Sequence, residues 1–282
     1  MIIVRISELA QASLALSALE AYTIEHLRNK KEEKTKLETH GTLFGYETYS
    51  YSKEIVYQIE LVSTDTSTRQ WQNRVRWSRS ARDLKQDFIT SFYPNFDYLG
   101  TFHTHPYDHY KSVPRGDHGS YFSKGDLRSF HKNKEYHERV GSRVFILITV
   151  AGMQKAGTLP NQRIKNNIIQ VTFGNLRLWV SAYCVLNRGN SAPPDLVVSP
   201  PINDYVFLEC PNLINLVEYT DFGRFKDGKY VASWELNKDL EGYFIYPSIE
   251  NFIDDDDFSA KDMIDSYNAK ALDDCADSDE FD

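Results

Sequence analysis

The spacing of apolar and polar positions divides the chain into segments of different period. Residues 2–6 are rich in Ile and Val and predict a short strand. Leu9, Ala12, Leu16, Leu19 and Leu27 then recur at helical spacing, which predicts an amphipathic helix over 7–30 with Ser7 as its N-cap. The pattern becomes strand-like at 39–47 and 54–63, with a third candidate at 74–78. Helical spacing returns over 79–92, with Leu84, Phe88 and Phe92 on one face. Residues 97–104 predict a strand running into a polar loop at 106–122, where Pro114, Gly116 and Gly119 discourage regular structure. A helix follows from near Ser123 through Leu127 and Phe130. Residues 143–150 are too apolar to alternate, as in a strand buried on both faces. Residues 168–173 and 176–186 flank Gly174-Asn175, a two-residue hairpin signal that can extend the first sheet.

Helix, strands, helix, strands is an α/β or α+β order. Pro193, Pro194, Pro200 and Pro201 mark a linker. The expected organisation is a first domain at 1–188, an accessory strand-rich block at 189–250 and an acidic tail at 251–282. No internal repeat is present.

Composition narrows the function classes. With 41% hydrophobic, 13% aromatic and 26% charged residues among 282, the chain has the make-up of an ordinary globular protein. No stretch approaches the roughly 18 consecutive apolar residues of a membrane span. The Leu/Ala-rich start after Arg5 resembles a leader, but Glu8 and Glu20 bracket it, which favours the helix. Cys184, Cys210 and Cys275 are odd in number and lack CxxC spacing, which fits a reducing cytoplasm. The net charge of −8 is uneven: residues 251–282 hold twelve acidic residues against Lys261 and Lys270, which leaves the body at +2. That body carries no basic stripe for nucleic acid. Asp254 to Asp257 read as part of a solvated tail, or less often as a partner-binding arm.

The candidate chemistry lies in two short motifs. His103-Thr104-His105-Pro106 stands at a predicted strand end, and Ser123-Lys124-Gly125-Asp126 at a predicted helix start. On an extended strand residues i and i+2 project to the same side, so two imidazoles can converge on one ion. Two neutral imidazole nitrogens and a carboxylate oxygen suit Zn²⁺, and three protein ligands leave a fourth position for water, as in catalytic sites. Water held there has its pKa lowered to about 7. It still needs a base, and Glu38 stands directly before the glycine-containing run Thr39-His40-Gly41-Thr42-Leu43-Phe44-Gly45.

Together, E-T-H-G-T-L-F-G, then H-T-H-P, then S-x-x-D resemble the signature of the JAMM/MPN (JAB) zinc metallopeptidases, and the opening VRISELA is similar to the start of that domain. The resemblance covers roughly residues 1–150. It implies a JAB/MPN-type (cytidine deaminase-like) sheet flanked by helices; the mixed C-terminal extension expected beyond it lies outside the resemblance. It implies that His103, His105 and Asp126 hold one zinc ion, that Glu38 moves the proton, and that Ser123 hydrogen-bonds the tetrahedral oxyanion. The implied substrate is an isopeptide or peptide bond at the C-terminus of a ubiquitin-like protein. Activating and conjugating enzymes of the same system are the implied partners.

One spacing departs from the family. Pro106 to Phe122 makes seventeen residues where relatives have about seven, an extension that a flexible loop tolerates at about 0.6 kcal/mol per doubling. The insertion brings rival ligands in Asp108, His109, Asp117 and His118; Asp126 ranks first because a helix start holds a ligand rigidly. Taken singly, S-x-x-D is an ordinary helix cap. His40 is expected to turn its side chain away from Glu38 and to be structural or exposed, and His131 and His137 to lie at the surface. Tyr107, Tyr110 and Tyr121 either line a peptide groove or pack the loop down. Two competing functions are a non-catalytic MPN scaffold that binds partners, and a JAMM peptidase for an unrelated substrate such as a phage structural precursor.

Overall fold

The computed structural model describes residues 1–27, 33–67, 69–71, 74–76, 78–114, 122–132, 141–154, 161–187, 205–214, 223–226 and 229–232. Met1–Leu236 forms one compact unit and Asn237–Asp282 a second, and every described residue belongs to the first. The acidic tail, the proline linker, Asp117, His118, Tyr121 and His137 lie outside the described residues.

In chain order the strands begin with β1 (Ile2–Ile6), β2 (His26–Leu27), β3 (Glu33–Lys34), β4 (His40–Tyr49) and β5 (Ile55–Thr64). They continue with β6 (Arg69–Trp71), β7 (Arg74–Arg76), β8 (Asp97–Tyr107), β9 (Gly141–Gly152) and β10 (Gln162–Lys165). The last are β11 (Ile168–Phe173), β12 (Leu176–Asn187), β13 (Val206–Glu209), β14 (Arg224–Lys226) and β15 (Lys229–Val231). The helices are α1 (Glu8–Thr23), α2 (Arg79–Phe92), α3 (Lys124–Lys132) and the single turn α4 (Pro211–Ile214).

The fold is mixed α+β, a large mixed sheet flanked by few helices. Among the described residues the sheet runs β10-β11-β12-β9-β8-β4-β5-β1-β13. β8 and β9 are parallel, as are β1 with β5 and β1 with β13, while the other neighbours are antiparallel. Parallel neighbours need a crossover connection, and α3 lies in the one between β8 and β9. β13 comes from the block after residue 188 and pairs with β1 in the register Ile2↔Val206 to Arg5↔Glu209.

Alternation along the central strands divides the core. Val144, Ile146 and Ile148 pack with Phe102, Val180 and the α1 residues Ala10, Leu14, Ala18 and Tyr22. Phe145 and Leu147, on the opposite face, pack with Phe130 of α3, Tyr183 and Val185. Helices thus cover both faces of the sheet around β8 and β9. Gly174 adopts φ 53 at the tip of the β11–β12 hairpin, in the left-handed region expected of its turn.

Two helices turn a different face to the core from the one their spacing predicts. α1 buries Ala10, Leu14, Ala15, Ala18, Leu19 and Tyr22, so Leu19 of the predicted stripe faces the core while Leu9 and Leu16 are 78% and 65% exposed. It ends at Thr23 rather than near residue 30, and Lys36 and Leu37 donate their N–H groups to the carbonyls of Tyr22 and Ala21. Ser7 occupies the N-cap position without a side-chain capping bond. In α2, Arg82 and Ile89 are buried, whereas Leu84, Phe88 and Phe92 are exposed. No helix among the described residues is long and apolar enough to cross a membrane.

Candidate metal centre

β8, fifth in the nine-strand order, carries His103 and His105. Its pairing with β4 reaches the edge of that strand at His40↔His103, while its parallel pairing with β9 runs on to Tyr107↔Ala151. The strand continues through Pro106, past the sequence-predicted end at Thr104. Both histidines are buried, and the ring of His103 meets Phe145 edge to face at 5.0 Å.

Asp126 arrives from the first turn of α3. The Asp126 N–H donates to Ser123 Oγ at 3.1 Å, and the Ser123 N–H donates to Asp126 Oδ2 at 2.7 Å, a reciprocal capping box. The S-x-x-D motif is therefore a helix cap and also points its carboxylate at the histidines. Ser123 Oγ accepts in this bond, so its own proton remains available to donate.

The donor atoms converge. His103 Nε2 and His105 Nε2 lie 2.9 Å apart, His103 Nε2 lies 3.5 Å from Asp126 Oδ1, and His105 Nε2 lies 3.2 Å from Asp126 Oδ2. Two neutral nitrogen lone pairs this close repel unless a proton or cation sits between them. Zinc bonds of about 2.0–2.1 Å in tetrahedral geometry place ligand atoms about 3.3 Å apart, close to the separations found. His103, His105 and Asp126 are the described His, Cys, Asp or Glu residues that converge closely enough to hold a metal ion.

Glu38 is anchored from both sides. Before it, the backbone of Lys36 and Leu37 is tied to α1, and Leu37 is buried. After it, the Thr39 N–H donates to Thr104 Oγ1 at 2.9 Å, and the Thr104 N–H donates to the Thr39 carbonyl at 3.0 Å. Thr104, between the two histidines in sequence, thereby fixes the segment that leads from Glu38 into β4; sequence reasoning gave it no role.

The charges of these groups are coupled. Burial pushes the Glu38 carboxyl up to about 7, opposed by His105 and reinforced by Asp126. Burial also works against the charge on Asp126, but hydrogen bonds from His103 and His105 outweigh it and hold that carboxyl well below the usual range. A dication at the cluster would draw Glu38 back down, since its charge dominates its surroundings. The Tyr107 phenol is raised by burial and by the charges of Glu38 and Asp126, so it belongs to the same electrostatic site. Its position two residues beyond His105, on the same strand face, was the available sequence signal.

Other residues singled out in the sequence take different positions. Asp108 Oδ1 pairs with Lys36 Nζ at 2.6 Å, and His109 is exposed beside Ser112, so neither joins the cluster. His40 stands opposite His103 and therefore on the same sheet face, contrary to the expected orientation, because i and i+2 share a face. Its Nδ1 is bonded to Asp65 Oδ2 at 2.6 Å, and Lys85 holds the other oxygen of that carboxylate. His131 lies in α3. Tyr110 stacks on Trp179 with ring centroids 5.7 Å apart, and Val113 packs beside Ala151 and Trp179, so this part of the insertion lies on the sheet.

No protein-family model and no curated protein matches this chain. Among solved structures the chain is similar to protein DSY2949 from Desulfitobacterium hafniense, with 13% identity and a TM-score of 0.35 over 73% of this chain and 92% of that one. It is also similar to the Trichoplax adhaerens STIL N-terminal domain, with 9% identity and a TM-score of 0.31 over 64% of this chain and 41% of that one.

Proposed function

We propose that this chain is a zinc metallopeptidase of the JAMM/MPN (JAB) type, built on the sheet of that family. It hydrolyses an isopeptide or peptide bond at the C-terminus of a ubiquitin-like protein. The observation that carries the reading is the convergence of two strand histidines and a helix-capping aspartate, beside a glutamate of raised pKa.

Zinc, when held by His103, His105 and Asp126, supplies Lewis acidity and makes water acidic enough to react near neutral pH. The remaining chemistry belongs to the chain. Glu38 accepts a proton from the attacking water and returns it to the leaving amine, and a carboxyl near 7 suits both transfers. Ser123, its oxygen engaged by the cap, uses its hydroxyl proton to stabilise charge on the carbonyl oxygen. The imidazoles are buried and His103 lies against the Phe145 ring, and such low-dielectric surroundings strengthen each of these interactions.

The test is cleavage of a ubiquitin-like fusion by the full chain. Glu38→Gln is expected to lower turnover by about 10²–10⁴-fold while zinc content stays unchanged. Cleavage that survives the substitution would exclude this mechanism, and a chain that binds no zinc would favour the partner-binding scaffold.

A further inference from the structure

On the face of the sheet that bears His103 and His105, the strand registers set Tyr107, Ala151 and Arg177 side by side on β8, β9 and β12. Arg177 is 1% exposed, yet its Nε and Nη1 have no hydrogen-bond partner among the described residues. No ion pair to it forms among the described residues, and its approach to the Tyr110 ring, at 5.9 Å, is at the limit of a cation–π contact. A cavity of about 390 Å³ adjoins it, lined among the described residues by Arg177, Tyr110, His109, Lys111, Gly152, Met153 and Gln154, with no acidic side chain.

A guanidinium stays charged when buried, and burial without a partner is strongly unfavourable. A complementary oxyanion removes that penalty. The planar fork fits a carboxylate through two parallel hydrogen bonds, and one buried cation balances one negative charge. A phosphate dianion concentrates two charges at the fork and would need a second buried cation, whereas Lys111 and His109 are exposed; succinate brings one carboxylate to the fork and holds its second a two-carbon spacer away.

We propose that this cavity is a carboxylate-binding site, and that it seats an acidic residue of a peptide that passes over the segment from Tyr110 to Val113 towards His103 and His105. The second clause rests on the peptidase reading. Two strand spacings of about 4.8 Å and one two-residue step of about 6.8 Å separate Arg177 from His105 by about 12 Å at the backbone. An extended peptide covers that distance in about three or four residues.

The test has two arms, both on the full chain. In the first, chelator-treated protein is titrated with sodium succinate at constant ionic strength, and arginine Nε–H resonances are followed by NMR. One buried arginine signal is expected to shift saturably, and the thermal midpoint to rise. Both responses disappear in Arg177→Met, and inorganic phosphate binds about tenfold more weakly or worse. Should the Met variant not fold, Arg177→Lys carries the test: it keeps the charge, loses the fork and weakens succinate binding about tenfold. No saturable shift, a shift that persists in the Met variant, undiminished affinity in the Lys variant or phosphate binding as tight as succinate each overturns the carboxylate site.

In the second arm, zinc-loaded protein is given peptides with Glu or Gln three or four positions from the bond cleaved. Wild type is expected to favour Glu by about tenfold in kcat/KM, and Arg177→Met to show no preference. Equal rates for both peptides in wild type overturn the seating of an acidic residue. Succinate binding without cleavage of any peptide overturns the peptidase reading and leaves the carboxylate site standing; cleavage without succinate binding does the reverse.

Discussion

Glu38 lies where burial and neighbouring charge act on one carboxyl. With the group raised to about 7 from an ordinary value of 4.5, the folded protein binds more protons than the unfolded chain between those limits. Stability from this group is therefore full below pH 4.5 and is lost as pH rises through 7. In chelator-treated protein the loss is of the order of 2–3 kcal/mol, and Glu38→Gln abolishes it. Urea unfolding from pH 4.5 to 8 measures this: wild type and variant diverge across that window, and parallel curves would place Glu38 in an ordinary solvated environment. Asp126 has the opposite sign, with its contribution retained above its ordinary value of 3.8 and lost in acid.

At the scale of elements, the site depends on how closely β8 and β9 approach. Gly100 has φ +154, and a Cβ there would lie 1.8 Å from the Val144 carbonyl oxygen. Gly100→Ala is expected to cost about 2–4 kcal/mol in urea unfolding, from backbone strain and overpacking together. A near-neutral result would show that the two strands can separate at that point. The central strands were legible in sequence because β-branched runs, a buried apolar run and Gly174-Asn175 each signal one outcome, whereas β10 and β13 were not. The helix faces were not. α1 is apolar on more than one side, and small residues such as Ala10, Ala15 and Ala18 let it lie close to the sheet while Leu9 and Leu16 face out. In α2 the predicted stripe gathers at the surface, where Phe88 and Phe92 pack together with centroids 4.8 Å apart. The candidate ligands were legible because period 2 and helix capping are local rules. Arg177 was not, since its burial and its want of partners among the described residues depend on strand order. Thr104 was missed for a similar reason: its contact with Thr39 joins segments 65 residues apart.

For the whole molecule, the sheet draws on the chain beyond residue 188. Val206 and Leu208 of β13 are buried in the same cluster as Val4, Ile6 and Leu14. Leu208→Ala is expected to lower stability by about 2–5 kcal/mol, as removal of a buried leucine side chain does elsewhere, measured by urea unfolding of the full chain. A change within about 0.5 kcal/mol, typical of surface positions, would mean that β13 contributes little to the core. The central claim is that residues from β8 and α3 form one metal centre, and zinc content per chain by elemental analysis, in wild type and His105→Ala, tests it most directly. The account predicts one tightly bound zinc in wild type and essentially none in the variant; a zinc-free wild type, or a variant that keeps its zinc, would contradict it.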